Sequence, residues 1–334
     1  MPDKPKSIVL MVPHRLNEVY GPKELEQIRE FSELVSPPAS KGEAVVLPER
    51  LKEVEVIFGG WGMPALTPSF LEKMPNLRGV FYAAGTVKPY VTEAFWSRRI
   101  VIANAHQANA VPVAEYCLAA ILFSLKLGWH RIRQCREESV WRQERSEIPG
   151  CYDATVGLIS LGAIGYKTLE LLKPFKIKPL IYSTSMSQDD ADHWGAEVVG
   201  LDELFARSDV VSLHTPLLPS TKGMIRGEHF RSMQPHATFI NTARGAVVQQ
   251  DEMIEVMRER PDLMALVDVV DPEPPEDGAA IFGVDNIHVT PHIAGSLGRE
   301  CRRLGQTAID ECKRHLAGQE LWYEVVEDDL VKMA

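Results

Sequence analysis

The sequence predicts an α/β protein built from two doubly wound units, one inserted into the other. Three observations carry this. Short apolar segments alternate with amphipathic ones along most of the chain, the pattern of parallel strands joined by crossover helices. The run 154–165, Ala-Thr-Val-Gly-Leu-Ile-Ser-Leu-Gly-Ala-Ile-Gly, reads as a strand, a tight turn and a helix start. It is a G-x-G-x-x-G phosphate-binding turn with Ser160 at the first glycine. Residues 1–153 precede that run, so another strand–helix unit comes before it or surrounds it.

The elements follow in order. Residues 8–12, 54–58, 77–82 and 100–103 are short apolar strands, and 22–35 is a helix with Leu25, Ile28, Phe31 and Leu34 on one face and Pro22 in its first turn. Residues 112–136 form the longest helical pattern. It is apolar early (Ala114, Leu118, Ile121, Leu122, Leu125) and basic late (Arg131, Arg133, Arg136), which suits a helix carboxyl end. A polar stretch, 137–149, follows. Strands then resume at 156, 180–183, 210–214, 238–241, 263–268 and 286–289, with helices at 201–206 and 249–259 between them and a final amphipathic helix over 297–316.

Composition narrows the classes. The 334 residues are 45% hydrophobic and 25% charged, as in an ordinary globular protein with core enough for two domains. The net charge of −10 and the lack of a Lys/Arg run disfavour nucleic acid as a partner. Five scattered cysteines without a C-x-x-C spacing read as reduced thiols. The amino-terminal apolar run 7–12 is cut by Pro13 and is too short for a signal peptide. No apolar run approaches the ~20 residues of a membrane span, so a cytoplasmic protein without membrane insertion is expected.

The chemistry-bearing residues lie just after predicted strands. In the turn, Gly162 lets the backbone approach a pyrophosphate, Gly165 lets helix and strand pack closely, and the helix amino terminus offers N–H groups and partial positive charge. The strand ending at Tyr182 is followed by Ser183, where an acidic residue would select NAD, and no Arg or Lys follows that would select NADP. The choice between NAD and NADP is therefore open. Downstream, Asn241-Thr242-Ala243-Arg244-Gly245, the run 266–274 with Asp268 and Glu273, and Thr290-Pro291-His292-Ile293-Ala294-Gly295 each follow a strand. Arginine there can hold a carboxylate through two parallel hydrogen bonds. A histidine beside a carboxylate is a usable acid–base near neutral pH. His288 and His292 have the i, i+4 spacing of a helical metal site, but Pro291 and the strand-like run before it rule out a regular helix, so no metal is expected. Trp61, in a glycine-flanked loop, reads first as packing and second as a substrate lid.

With these runs, together with Ser212–Leu217 and the segment 104–120, the chain resembles the D-isomer-specific 2-hydroxyacid dehydrogenase family over roughly residues 55–310, in the catalytic order Arg244, Glu273, His292. The resemblance implies a Rossmann dinucleotide-binding domain (105–293) inserted into a flavodoxin-like substrate domain (1–104 and 294–334), with a closing cleft and two crossing helices as the hinge. It implies hydride transfer between NAD or NADP and a small 2-keto or 2-hydroxy acid. His292 would be the acid/base, Glu273 its orienting partner and Arg244 the substrate clamp. Backbone groups of Ala84, Gly85 and Thr86 would help hold the substrate carboxylate. Cofactor contacts would come from Leu161, Gly162, Ala163, Ile164, Ser183, His214, Thr215, Pro216, Thr242, Ala243, Asp268 and Gly295, with Asp268 at the nicotinamide carboxamide. A homodimer through the long helix and the segment after it is also implied. The chain departs from the family pattern at Ser160, at Ser183 and in the loop 82–88, which lacks the commoner second glycine and following Asp. Two other readings share the fold: an NAD(H)-sensing corepressor, which the acidic charge opposes, and a formate- or phosphite-type dehydrogenase.

Overall fold

Among the described residues, every ladder between the twelve strands is parallel. The computed structural model describes residues 4–35, 48–139, 141, 148–331 and 333. It divides the chain into two compact units, 1–109 with 296–334, and 110–295.

The first unit holds a five-stranded sheet of β1 (Lys6–Leu10), β2 (Glu33–Leu34), β3 (Val56–Gly59), β4 (Gly79–Tyr82) and β5 (Val101–Asn104), in the order β2-β1-β3-β4-β5. That is the flavodoxin-like 2-1-3-4-5 winding. Alternation along the strands sorts the core into two layers. Ile8, Leu10, Ile57, Val80, Tyr82 and Ile102 pack on one face with Leu71 and Phe95. Val9, Val56, Phe58 and Phe81 pack on the other with Leu304, Ala308, Ile309 and Cys312 from the helix Cys301–Leu316.

The second unit holds seven strands: β6 (Tyr152–Ile159), β7 (Lys176–Tyr182), β8 (Glu197–Val198), β9 (Val210–Leu213), β10 (Thr238–Asn241), β11 (Met264–Val267) and β12 (Ile287–Val289). Their order, β12-β11-β10-β9-β6-β7-β8, is the Rossmann winding with one added strand. Strand order reverses between β6 and β9, so a crevice opens beyond their carboxyl ends, where ligands bind in such sheets. One face carries Val211, Leu213, Phe239 and Ala265 against Phe205, Phe230, Met253 and Met257. The other carries Val156, Leu158, Ile181 and Ile240 against Leu169, Leu172, Ile121 and Leu125.

Several boundaries differ from the sequence reading. The helix expected over 22–35 stops at Phe31. The Ser32 hydroxyl donates back to the Ile28 carbonyl (2.9 Å), and residues 33–34 turn into strand β2 beside β1. The first strand stops at Leu10, and a helix the hydrophobic pattern does not reveal, Pro13–Val19, follows it. The long helix is two: His106–Leu125, with Pro112 inside it, and Gly128–Glu138. Leu127 separates them with a left-handed φ of 54°. Residues 140 and 142–147, most of the polar stretch placed in the expected dimer contact, lie outside the described residues. The helix His106–Leu125 also corrects the statement that no segment approaches a membrane span. An 18-residue stretch of this 20-residue helix has a mean hydropathy of 1.5, enough by length and composition. Its buried side chains Ala120, Ile121 and Leu125 join the core of the second unit, as a core helix does.

The helix Cys301–Leu316 lies so close to the chain before it that a Cβ added at Gly305 would run into the Val19 carbonyl. Gly→Ala inside a helix ordinarily stabilises by about 1 kcal/mol. Here the contact is backbone, so Gly305→Ala is expected to destabilise by about 1–3 kcal/mol. Urea unfolding reads the sign, and a raised midpoint contradicts the close approach.

Candidate active site at the carboxyl edge of the seven-stranded sheet

The phosphate turn comes first. Strand β6 runs into Ser160 and Leu161, and the helix Ala163–Leu172 starts with Gly162 as its N-cap. Ser160 has a φ of 73°, the left-handed conformation that explains why this turn ordinarily carries glycine. Its N–H donates to the Tyr182 carbonyl at 2.7 Å, tying the turn to β7. A Cβ at Gly165 would strike the Ser160 carbonyl, whereas one at Gly162 would meet no atom of the described residues within 4 Å. Leu161 is buried, Gly162 is exposed, and Ala163 and Ile164 are half-buried in a first helical turn that holds no acidic residue. The turn therefore offers open backbone and a helix dipole to a pyrophosphate, and the residues fit a dinucleotide.

At the end of β7, the Ser183 hydroxyl accepts from the Ser185 N–H at 3.2 Å. The positions 183–185 hold neither a carboxylate nor a basic side chain. After β9, His214 and Thr215 are buried, and the His214 N–H donates to the Ile159 carbonyl at 2.9 Å. Among the described residues, neither imidazole nitrogen of His214 has a hydrogen-bond partner. Burial pushes its pKa down to about 4, so the ring is neutral at physiological pH. Such a ring is suited to a polar ligand group at this edge.

Strand β10 ends in a knot of main-chain bonds. The Asn241 side chain accepts from the Ala243 N–H (3.0 Å) and donates to the Arg244 carbonyl (3.2 Å). The Arg244 guanidinium donates to the Ala243 carbonyl at 2.7 Å. Burial draws its pKa down while the charge of Glu273 pulls it up. Thr242 lies beneath, its hydroxyl 3.3 Å from the Cys117 thiol. At Gly245 a Cβ would collide with the Val270 carbonyl, so the loop after β10 rests main chain on main chain against the loop after β11. That contact brings Arg244 beside the Glu273 loop.

The Glu273 loop is fastened by Gln250, which both accepts from the Asp271 N–H (3.1 Å) and donates to the Asp271 carbonyl (2.9 Å). Glu273 Oε1 is 2.5 Å from His292 Nδ1, with the two side chains 39% and 49% exposed. With Nδ1 engaged, Nε2 is the nitrogen left to face a reactant. His292 has a left-handed φ of 53°, and its N–H donates to the Asp268 carbonyl at 2.9 Å.

Asp268, 3% exposed, fixes that turn. Its Oδ1 accepts from the Thr290 hydroxyl (2.6 Å) and the Ile293 N–H (2.8 Å), and its Oδ2 from the Ala294 N–H (2.9 Å). Three donors to one buried carboxylate satisfy its charge and lock the backbone that carries His292. Tyr116 extends the network, its hydroxyl 3.1 Å from that of Thr290.

In the first unit, β4 leads into buried Ala84 and half-buried Gly85 and Thr86. Among the described residues, the N–H groups of Gly85 and Thr86 have no internal acceptor. They are free donors for an anion.

Arg244, Glu273, His292 and Asp268 thus share one edge of one sheet, together with the phosphate turn, His214, Thr215, Pro216, Thr242, Ala243 and Gly295, while Ser183 stands at the end of β7 on the same edge. Asn241, Gln250, Thr290 and Tyr116 were missed by sequence reasoning. Thr290 stood in a recognised run, but Tyr116 lies 174 residues from it and Gln250 lies 21 from Asp271, distances at which no local pattern gives a signal.

Residues 119–294, over half of the chain, match the family described as D-isomer specific 2-hydroxyacid dehydrogenase, NAD binding domain. The chain belongs to the D-isomer-specific 2-hydroxyacid dehydrogenase family. Relatives within and around the family agree. D-3-phosphoglycerate dehydrogenase of Methanocaldococcus jannaschii is 28% identical over 272 residues, covering 81% of this chain and 51% of the relative. The enzyme of the same description from Archaeoglobus fulgidus is 28% identical over 226 residues, covering 68% and 43%. The chain therefore spans about half the length of these relatives. Among solved structures, the D-isomer specific 2-hydroxyacid dehydrogenase of Lactobacillus delbrueckii ssp. bulgaricus, in an NAD complexed form, superposes with a TM-score of 0.79 at 18% identity, covering 96% of this chain and 99% of that one. Rhodotorula graminis D-mandelate dehydrogenase gives 0.76 at 21% identity, covering 97% and 98%. These likenesses show that the family fold, two parallel-sheet α/β domains, extends over nearly the whole chain.

Left-handed backbone at a residue with a Cβ costs about 1–2 kcal/mol. Replacement of Ser160 by glycine is expected to raise stability by about 1 kcal/mol after the added freedom of the unfolded chain is counted. A higher urea midpoint at unchanged slope is the readout, and a lower one would show that the serine hydroxyl holds the turn.

Proposed function

We propose that this protein reduces a small 2-keto acid to the D-2-hydroxy acid, drawing on a reduced nicotinamide cofactor. The observation that carries the reading is the 2.5 Å contact between His292 Nδ1 and Glu273 Oε1 at the strand edge that also presents Arg244. It is the geometry of an oriented acid–base with one nitrogen free.

The cofactor would lie along the edge with its pyrophosphate at Gly162–Ile164 and the rest against Leu161, Ser183, His214–Pro216, Thr242, Ala243 and Gly295. When bound, its reduced nicotinamide supplies the hydride. Arg244 would pair with the substrate carboxylate and stabilise negative charge gathering on the carbonyl oxygen. The N–H groups of Gly85 and Thr86, with Ala84, would supply further carboxylate donors. As C2 gains the hydride, His292 Nε2 would give its proton to the carbonyl oxygen, and Glu273 would hold the resulting ring in place. In the oxidative direction neutral His292 takes the hydroxyl proton. Asp268 fixes the His292 turn and retains lone pairs for the carboxamide of the nicotinamide. A homodimer through the helices His106–Leu125 and Gly128–Glu138 is part of the proposal, supported by the exposed Phe123 and Ile132 on them.

Purified protein should oxidise NADH or NADPH with at least one of glyoxylate, hydroxypyruvate, pyruvate, phenylpyruvate or a branched 2-keto acid. Cofactor binding without any turnover would favour the sensing role instead. His292→Ala is expected to lower kcat by about 10²–10⁴-fold with cofactor affinity retained. Wild-type turnover in that variant would remove His292 from the mechanism. Ser183 neither repels nor attracts a 2′-phosphate, so both cofactors are expected to serve. Ser183→Asp should raise the NADH-to-NADPH ratio of kcat/KM more than about tenfold through like-charge repulsion. An unchanged ratio would show that the adenosine ribose does not reach residue 183.

A further inference from the structure

The five-stranded sheet of the first unit has its own carboxyl edge, and the loops after β1, β3 and β4 stand side by side there. The loop after β4 is Ala83–Thr86, whose free amides are described above. The loop after β3 is Gly60-Trp61-Gly62, and the one after β1 is Met11-Val12 leading into the helix Pro13–Val19. The latter two are locked together. The Val12 N–H donates to the Trp61 carbonyl at 2.7 Å, and a Cβ at Gly60 would press on the Met11 side chain at 3.0 Å. On this platform the Arg15 guanidinium lies over the Trp61 ring, 4.7 Å from its centroid.

Arg15 is half-buried, and among the described residues it has no carboxylate within ion-pair distance. Glu18, one helical turn on, points instead to Cys301, its Oε2 4.0 Å from the thiol. A guanidinium resting on an aromatic face keeps its N–H fork free for a planar anion.

We propose that Arg15, seated on Trp61, is a specificity-determining residue that takes a second anionic group at the far end of the substrate, so that the preferred substrates are 2-keto acids with a distal carboxylate or phosphate. This rests on the reductase reading above. The distances suit it. With the first carboxylate at the amides after β4, the loop after β1 lies about 10 Å away, two strand spacings. A five-carbon diacid spans about 5 Å between its carboxyl carbons, and an arginine leaning over the intervening β3 loop covers the rest. Trp61 would pack along the methylene chain of the substrate, giving the lid idea a defined role.

The test compares substrates with and without a distal anion: 2-oxoglutarate with its isostere 5-methyl-2-oxohexanoate, and 3-phosphooxy-2-oxopropanoate with 3-hydroxypyruvate. The first pair reads a distal carboxylate and the second a distal phosphate. The wild type should favour the anionic member of at least one pair in kcat/KM. Arg15→Gln should lower that preference about tenfold or more, chiefly through KM, and Arg15→Lys should restore part of it. A preference for the uncharged member in both pairs, or an Arg15→Gln preference within threefold of wild type, overturns the proposal. If no 2-keto acid is reduced at all, the reductase reading has failed. Equilibrium binding of glutarate against hexanoate to wild type and Arg15→Gln then decides the anion site separately: discrimination lost in the variant upholds it, and equal binding rejects it.

Discussion

Parallelism is the constraint from which the rest of this molecule follows. A strand buried on both faces has no side chain to offer to a ligand, as the fully buried β9, β10 and β11 show. Because all strands in a sheet run the same way, their carboxyl ends open on one edge, and the polar residues collect there. Arg244, the pair Asp268 and Glu273, and His292 come from three separate segments, yet each segment follows the end of a neighbouring strand. The register of β10, β11 and β12, Asn241 opposite Val267 and Val267 opposite Val289, therefore sets their spacing before any side chain contributes.

Within that frame the buried carboxylate of Asp268 does the finer work. A charge at 3% exposure is costly unless it is fully bonded, and here the donors come from the segment it must hold, Thr290 to Ala294. Desolvation of the acid thus becomes rigidity of the turn. His292 sits in a left-handed conformation that an isolated peptide would leave, and this carboxylate, with the main-chain bond to the Asp268 carbonyl, keeps it there.

Much of this was legible in the sequence, for reasons that can be named. The winding was readable because strands buried on both faces are short continuous apolar runs, and the edge residues because each run is followed at once by polar ones. Left-handed backbone was harder to read. Leu127 breaks what the hydrophobic pattern presents as one helix, and a leucine gives no sign of a positive φ. Strand β2 is two residues long and sits inside the apparent amphipathic pattern of the helix before it. The contacts of Tyr116 and Gln250 depend on tertiary distance alone. Asp268 was visible as a residue, but its partners were not, since a hydrogen bond to backbone N–H leaves no mark on residue type.

The main-chain contact at Gly245 has a consequence for how this scaffold can change. The gap between the arginine loop and the glutamate loop is set by two backbones touching, with no side chain between them to trim or extend. Substitutions along that seam can break the arrangement but have little means of adjusting it. Under the proposed reading, variation in substrate would fall instead to the loops of the five-stranded sheet, where the Arg15 side chain lies over Trp61. A combinatorial library aimed at new substrates belongs in that half of the molecule, and the other half is best inherited intact.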